Sequence, residues 1–221
     1  VCGSADVLEA LGVDLKVPPR VVEKAVKKTG VGFLYAPLYH SAMRNVASVR
    51  REIGVRTIFN IVGPLTNPAG ANVQVLGVYD KGLTPVLAEV LNRLGSRSAF
   101  VVHGEDSLDE VSITGRTFVS ELKDGEVSTY TIEPEDFGLP RASISEIKGG
   151  DAETNGQIVL DVLQGEPGAR RNIVLLNAAA ALVAAGMAGD FREGIKQAAE
   201  AIDSGEALKK LQALKKITNR Q

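Results

Sequence analysis

Two adjacent carboxylates, Asp109 and Glu110, close the loop His103-Gly104-Glu105-Asp106-Ser107-Leu108-Asp109-Glu110, which follows the apolar run Ala99-Phe100-Val101-Val102. In open α/β sheets ligands gather where loops leave the carboxyl ends of strands. Paired carboxylates there suit magnesium, which prefers oxygen ligands and often takes only one or two from protein, leaving the rest to water and phosphate. On the residues alone the commoner reading of such a pair is a solvated acidic loop, and Glu105 and Asp106 read as solubilising charges. A second candidate is Arg50. On a wheel of roughly 100° per residue the segment Ser41 to Ile53 puts Ala42, Val46, Val49 and Ile53 on one arc, with Met43 at its edge. Arg44, Ser48 and Arg51 fall opposite, but Arg50 falls inside the apolar arc. A guanidinium there needs a structural carboxylate, a path to water along its own stem, or an anionic ligand; its planar fork suits a substrate carboxylate.

Three weaker signals accompany these. Gly3-Ser4 precedes a helical pattern, so Ser4 reads as an ordinary N-cap or as a donor beside the anion-attracting start of a helix. Gly63-Pro64-Leu65, followed by Asn67-Pro68, forms a stiff loop that suits a pocket wall or a plain turn. His40 precedes the Arg50 helix, where it serves as a cap or approaches a ligand. His103, at a strand end, reads as a local hydrogen-bonding residue. No side chain is assigned as a catalytic acid, base or nucleophile.

The elements that must position these groups alternate between helix and strand, which predicts an α/β fold with a mostly parallel central sheet flanked by helices. Helices are expected over Ala5 to Leu11, Arg20 to Lys28, Ser41 to Ile53, Thr84 to Leu94, Asp151 to Gln164, Asn172 to Ala188, Phe191 to Ser204 and Glu206 to Lys216. Strands are expected over Val31 to Tyr35, Val73 to Tyr79 and Ala99 to His103, with a hairpin of Thr117 to Leu122 and Glu126 to Ile132 around Lys123-Asp124-Gly125. No linker or repeat divides the chain, so residues 1–221 read as a single domain.

Composition removes several function classes. Hydrophobic residues make up 44% and charged residues 24%, as in a folded domain with a substantial core. A net charge of -2, no tryptophan and 5% aromatics give no electrostatic or stacking reason to expect nucleic acid. One cysteine, Cys2, precludes an internal disulfide and fits a reducing cytosol; with two histidines it cannot build a usual zinc site. The nearest approach to a membrane span, Ile173 to Gly189, is alanine-rich and bracketed by charge. The chain opens at Val1 without an initiator Met or a signal pattern, which reads as a chain cut in its interior.

Several stretches, in order, resemble the anthranilate phosphoribosyltransferase family. They are Cys2 to Gly12, Tyr39-His40, Arg44-Asn45-Val46 with Val49-Arg50, Arg56 to Pro68, Leu108-Asp109-Glu110-Val111-Ser112 and Asn177 to Leu182. The resemblance implies a catalytic domain of the nucleoside phosphorylase/phosphoribosyltransferase type, incomplete at its N-terminus. It also implies transfer of the phosphoribosyl group of phosphoribosyl pyrophosphate to the amine of anthranilate, a step of tryptophan biosynthesis. By carry-over Asp109 and Glu110 bind Mg2+, Arg50 binds anthranilate, Ser4 contacts the phosphoribosyl donor, and His40, Gly63 and Pro64 line the anthranilate path. A cytoplasmic homodimer is implied for the full-length protein, with the dimer made by a small N-terminal helical domain.

That domain, the Gly-Thr-Gly-Gly-Asp phosphate loop and the Lys-His-Gly-Asn segment of the family do not occur in this sequence. A cradle of backbone N–H groups is not replaced by side chains elsewhere, so these residues alone are expected to be inactive or nearly so. Two other functions compete: a pyrimidine nucleoside phosphorylase relative, against which Arg50 and Gly63-Pro64-Leu65 argue, and an inactive nucleic-acid-binding paralogue, against which the acidic balance argues. A folded remnant without function is a third reading.

Overall fold

A computed structural model describes residues 2–39 and 62–219. The expected helix Ser41 to Ile53, with Arg50, lies outside the described residues, as do His40 and residues 56–61 of the Gly-Pro stretch. The helices are α1 (Ser4–Ala10), α2 (Pro19–Thr29), α3 (Ala36–Tyr39), α4 (Val62–Leu65), α5 (Leu83–Arg93), α6 (Ile144–Ile147), α7 (Ala152–Leu163), α8 (Ala169–Ala184), α9 (Phe191–Asp203) and α10 (Glu206–Thr218). The strands are β1 (Val73–Gly77), β2 (Ser98–Gly104), β3 (Thr117–Lys123) and β4 (Glu126–Ile132). The chain divides into two units, one of Val1–Gly63, Gly149–Gly165 and Ile202–Gln221, the other of Pro64–Lys148 and Glu166–Ala201.

In the first unit α1 packs on α7, and α2 packs on α10. Gly156 of α7 leaves room for Ala10 and Leu11, whose atoms would lie 3.7–3.8 Å from an added Cβ. Val13, Leu15, Ala25 and Leu214 form the buried core, with Leu8, Phe33 and Tyr35 packed against it. Val31 to Tyr35 was expected to be a strand and is not one. Phe33 and Tyr35 still face the core by alternation, but among the described residues no strand pairs with them. A ladder needs a partner for its N–H and C=O groups.

The second unit holds the sheet, in the order β1-β2-β3-β4. β1 and β2 run parallel, from Val73↔Ser98 to Gly77↔Val102, joined by α5 as the crossover. β3 is antiparallel to both β2 and β4. The sheet is therefore mixed rather than mostly parallel over the described residues. The hairpin accounts for the β3–β4 pairing, since two residues between strands permit only an antiparallel return, and the loop of residues 105–116 returns β3 antiparallel to β2 without a crossover helix.

β2 is buried from Ala99 to Gly104, as a strand covered on both faces must be. On one face Phe100, Val102 and Val119 meet Leu176, Ala179 and Ala180 of α8. The other face meets α5, where Ser120 Oγ donates to Thr84 Oγ1 at 3.0 Å. Helix α8 begins at Ala169, three residues earlier than expected, because Ala169, Arg170 and Arg171 join its first turn instead of preceding it. Gly194 of α9 allows contact with α8, since a Cβ there would lie 2.9 Å from the Ala179 backbone. Among the described residues no helix is long and apolar enough to cross a membrane.

Candidate functional site

The carboxyl end of β2 opens into residues 105–116, and local chemistry bends this loop at once. Gly104 N–H donates to Leu108 O at 2.8 Å, and Ser107 N–H donates to Gly104 O at 2.9 Å. Ser107 takes a left-handed conformation, φ 71°. The Asp106 carboxylate is the hub of this bend. Its Oδ1 accepts Leu108 N–H at 3.1 Å. Its Oδ2 accepts Ser112 Oγ–H at 2.6 Å and the Thr114 hydroxyl. Ser112, 1% exposed, also donates its N–H to Thr117 Oγ1 at 2.9 Å, tying the loop to β3. Burial works to raise the Asp106 pKa, but the hydrogen bonds from Ser112, Thr114 and Leu108 outweigh it, and the carboxyl lies below its ordinary value. Asp106 is thus not the solubilising charge that its exposed-looking setting suggested.

Two long-range devices fix the loop where Asp109 and Glu110 stand. Beneath it, Gly77 ends β1: a Cβ added there would lie 1.5 Å from Asp109 O, so the approach exists only because residue 77 is glycine. From the side, Asn177 of α8 accepts Val111 N–H at Oδ1 (2.9 Å) and donates to Val111 O from Nδ2 (2.8 Å). Asp109 and Glu110 therefore stand exposed on a backbone held before, beneath and after them. Protein packed around the Glu110 carboxyl pushes its pKa up, and the Asp109 carboxylate beside it adds to the shift. Glu110 as a residue is exposed, so water screens part of this effect.

These carboxylates fit a hard divalent cation. Such an ion offsets the repulsion that raises Glu110, and oxygen is the donor magnesium takes. Among the described residues no group of three or more His, Cys, Asp or Glu side chains forms a metal cluster. A cation at Asp109 and Glu110 would complete its shell with water or phosphate oxygens. His103 is not part of this set: its Nδ1 lies 2.8 Å from Val78 O, which only accepts, so Nδ1 carries the hydrogen. It is the local hydrogen-bonding residue expected from its position.

The remaining candidates are placed as follows. Gly3, not Ser4, is the N-cap of α1; Gly3 N–H donates to Asp6 Oδ2 at 2.8 Å, and Ser4 is the first residue of the helix, exposed. Ser4 belongs to the first unit, and Asp109 and Glu110 to the second. Gly63 and Pro64 are exposed in the single turn α4, where proline suits the start of a helix. A turn at Asn67 follows, with Ala69 N–H on Asn67 Oδ1 at 2.9 Å. A cavity of about 270 Å3, lined by Leu65, Asn67, Asn72 and Gln74 among others, lies by the amino end of β1, away from Gly77, and among the described residues no charged side chain lines it.

Neither Gly77 nor Asn177 was singled out as a site residue from sequence. The available signal for Asn177 was a lone amide within Leu175-Leu176-Asn177-Ala178-Ala179-Ala180. Gly77 carried no comparable signal, because the atom that requires it lies 32 residues further along the chain, at Asp109.

Residues 1–208 match the glycosyl transferase family, a/b domain. Anthranilate phosphoribosyltransferase from Geobacter sp. (strain M21) is 57% identical over 218 residues, covering 99% of this chain and 62% of the relative. The crystal structure of anthranilate phosphoribosyltransferase from Thermus thermophilus superposes with a TM-score of 0.91 at 44% identity, over 98% of this chain and 64% of that one. The enzyme of the same name from Saccharomyces cerevisiae, in complex with phosphoribosyl pyrophosphate and magnesium, gives 0.89 at 31% identity, over 99% and 63%. The chain thus spans less than two thirds of the length of these relatives.

Proposed function

The chain belongs to the glycosyl transferase family, a/b domain, and on that premise we propose that its protein moves the phosphoribosyl group of phosphoribosyl pyrophosphate onto the amine of anthranilate. The products are N-(5-phosphoribosyl)anthranilate and pyrophosphate, in tryptophan biosynthesis. The observation that carries this reading is the 57% identity over 218 residues to a relative of that name. Support comes from the exposed carboxylate pair at the carboxyl end of β2, together with the magnesium and donor bound by the yeast relative.

The amine lone pair of anthranilate forms the new bond to C1 of the ribose as the bond from C1 to the pyrophosphate oxygen breaks. That oxygen leaves with the electron pair, and the amine then loses a proton. Positive charge develops on the ribose and negative charge on the leaving group. Magnesium, when bound, neutralises the growing negative charge on pyrophosphate. Asp109 and Glu110 hold that ion through their carboxylate oxygens. Arg50 holds the anthranilate carboxylate, Ser4 contacts the donor, and His40, Gly63 and Pro64 line the acceptor's path. No protein nucleophile is required, so orientation and charge supply most of the rate. Residues 1–221 make one domain in this proposal, and the unbroken family match over residues 1–208 supports it. A cytoplasmic homodimer is part of the reading on resemblance alone.

Pyrophosphate release by the complete gene product is expected only when phosphoribosyl pyrophosphate, anthranilate and magnesium are all present. The 221 residues by themselves are expected to turn over little or not at all. Phosphorolysis of thymidine or uridine, or tight nucleic-acid binding at low salt, would overturn the assignment in favour of a competing function. Neither alternative gains support from the relatives above.

A further inference from the structure

Asparagine is a costly choice in the middle of an alanine-rich helix, because its side chain competes for backbone hydrogen bonds and helix propensity falls well below that of alanine. Asn177 nevertheless occupies that place in α8, between Leu176 (1% exposed) and Ala179 and Ala180 (both 0%). Its three contacts are all to backbone: it accepts Val111 N–H at 2.9 Å, donates to Val111 O at 2.8 Å and donates to Ile173 O at 2.9 Å. Both partners of Nδ2 are carbonyls, which only accept, so the network fixes which end of the amide is nitrogen. A side chain that gives and takes one hydrogen bond with the same residue acts as a strand partner one residue long.

The residue gripped is the one after Glu110. Val111 is 0% exposed, so water cannot replace the amide. The bonds of Asp106 stay inside the loop and span at most eight residues, whereas the Asn177 pair reaches 66 residues to the helix that covers the sheet. We propose that Asn177 is a positioning residue for the cation site. Its two-point grip on Val111 sets the direction in which Asp109 and Glu110 present their oxygens to a divalent ion. This rests on the reading that those two carboxylates hold magnesium.

The test is a titration of the complete gene product with Mn2+, a paramagnetic stand-in for magnesium, with free Mn2+ read by electron paramagnetic resonance and melting temperature measured alongside. Asp109→Asn and Glu110→Gln are each expected to weaken Mn2+ binding strongly. Asn177→Ala is expected to weaken it about ten-fold, as loss of a group that orients metal ligands does, in protein that still melts cooperatively. Asn177→Asp keeps the acceptor for Val111 N–H but turns a carboxylate oxygen towards Val111 O and Ile173 O, which also only accept, so a weakening at least as large as that of Asn177→Ala is expected. Its added negative charge would attract the cation, so weakening in that variant reports geometry rather than charge. If Asn177→Ala does not fold, the isosteric Asp variant carries the comparison. A lowered melting temperature with wild-type Mn2+ affinity in the Asn177 variants would reduce Asn177 to a structural residue and overturn the proposal. Wild-type affinity in both Asp109→Asn and Glu110→Gln would instead overturn the assignment of the carboxylates.

Discussion

Two connections leave β3, and they are built in opposite ways. Towards β4 the chain turns in two residues, Asp124 (φ 53°) and Gly125 (φ 82°), a pair of left-handed conformations whose twist suits a tight hairpin. Towards β2 the chain takes residues 105–116, and its shape depends on Gly77, Thr117 and Asn177, all outside the loop. Both connections carry carboxylates. The hairpin carries Asp124 on a turn set mainly by its own backbone, with one outside bond from Asn92 Nδ2 to Gly125 O at 2.9 Å, while Asp109 and Glu110 stand on main chain that several other elements hold. A turn made mainly from local preference is cheap and depends little on its surroundings. A loop that must aim charged groups draws on distant contacts, and it fails when they do.

The largest effect that bears on this contrast should come from Gly77→Ala. Its Cβ would overlap Asp109 O, so the loop must lift or β1 must shift, at about 3 kcal/mol, the upper range for overpacking a tight contact. Urea unfolding should register that loss, and Mn2+ binding should fall with it. Unchanged stability and affinity would show that the strand and loop separate without cost.

Asp106→Ala comes next. It leaves the buried Ser112 hydroxyl without its carboxylate and frees Leu108 N–H, an expected loss of about 2 kcal/mol, set below the top of the range because the carboxyl is part exposed. Gly125→Ala should cost less, about 1 kcal/mol, from a side chain forced into φ 82°. It should leave Mn2+ affinity untouched; a change in affinity would mean that the hairpin and the acidic loop are coupled.

The smallest effect concerns pH. The Asp106 pKa is lowered in the folded state, so the unfolded chain binds the extra proton first as pH falls. The stabilisation is full above the ordinary value of 3.8 and is lost as pH drops through the lowered one. The stability gap between wild type and Asp106→Ala should therefore narrow as pH falls from about 5 to about 3 in paired urea melts. A gap that stays constant would show that the Asp106 hydrogen bonds do not depend on its charge.

Much of this is legible in the residues alone. β4 lies over Glu126 to Ile132 as expected, and α9 and α10 begin at Phe191 and Glu206. Asp109 and Glu110 stand out as a carboxylate pair after an apolar strand, a local pattern that leaves a metal pair and a solvated loop both open; only the family resemblance implies magnesium. Other expectations failed for lack of a partner in view: Phe33 and Tyr35 alternate as a strand does, but the described residues supply nothing for them to pair with. Asp106 looked like a surface charge because the hydroxyls that bind it are six and eight residues away, across a bend that local preference does not specify.

By itself the sequence determined the alternation of helix and strand, the hairpin at Asp124-Gly125 and the apolar run that becomes β2. Each follows from side-chain periodicity or the backbone preference of one or two residues, which act over a few positions. Only the tertiary structure decided that Gly77 must lack a side chain and that Asn177 grips Val111. It also decided that Asp106 is held below its ordinary pKa. Steric exclusion, paired hydrogen bonding and desolvation arise between residues far apart in the chain, and they exist only once the sheet and its covering helices have closed.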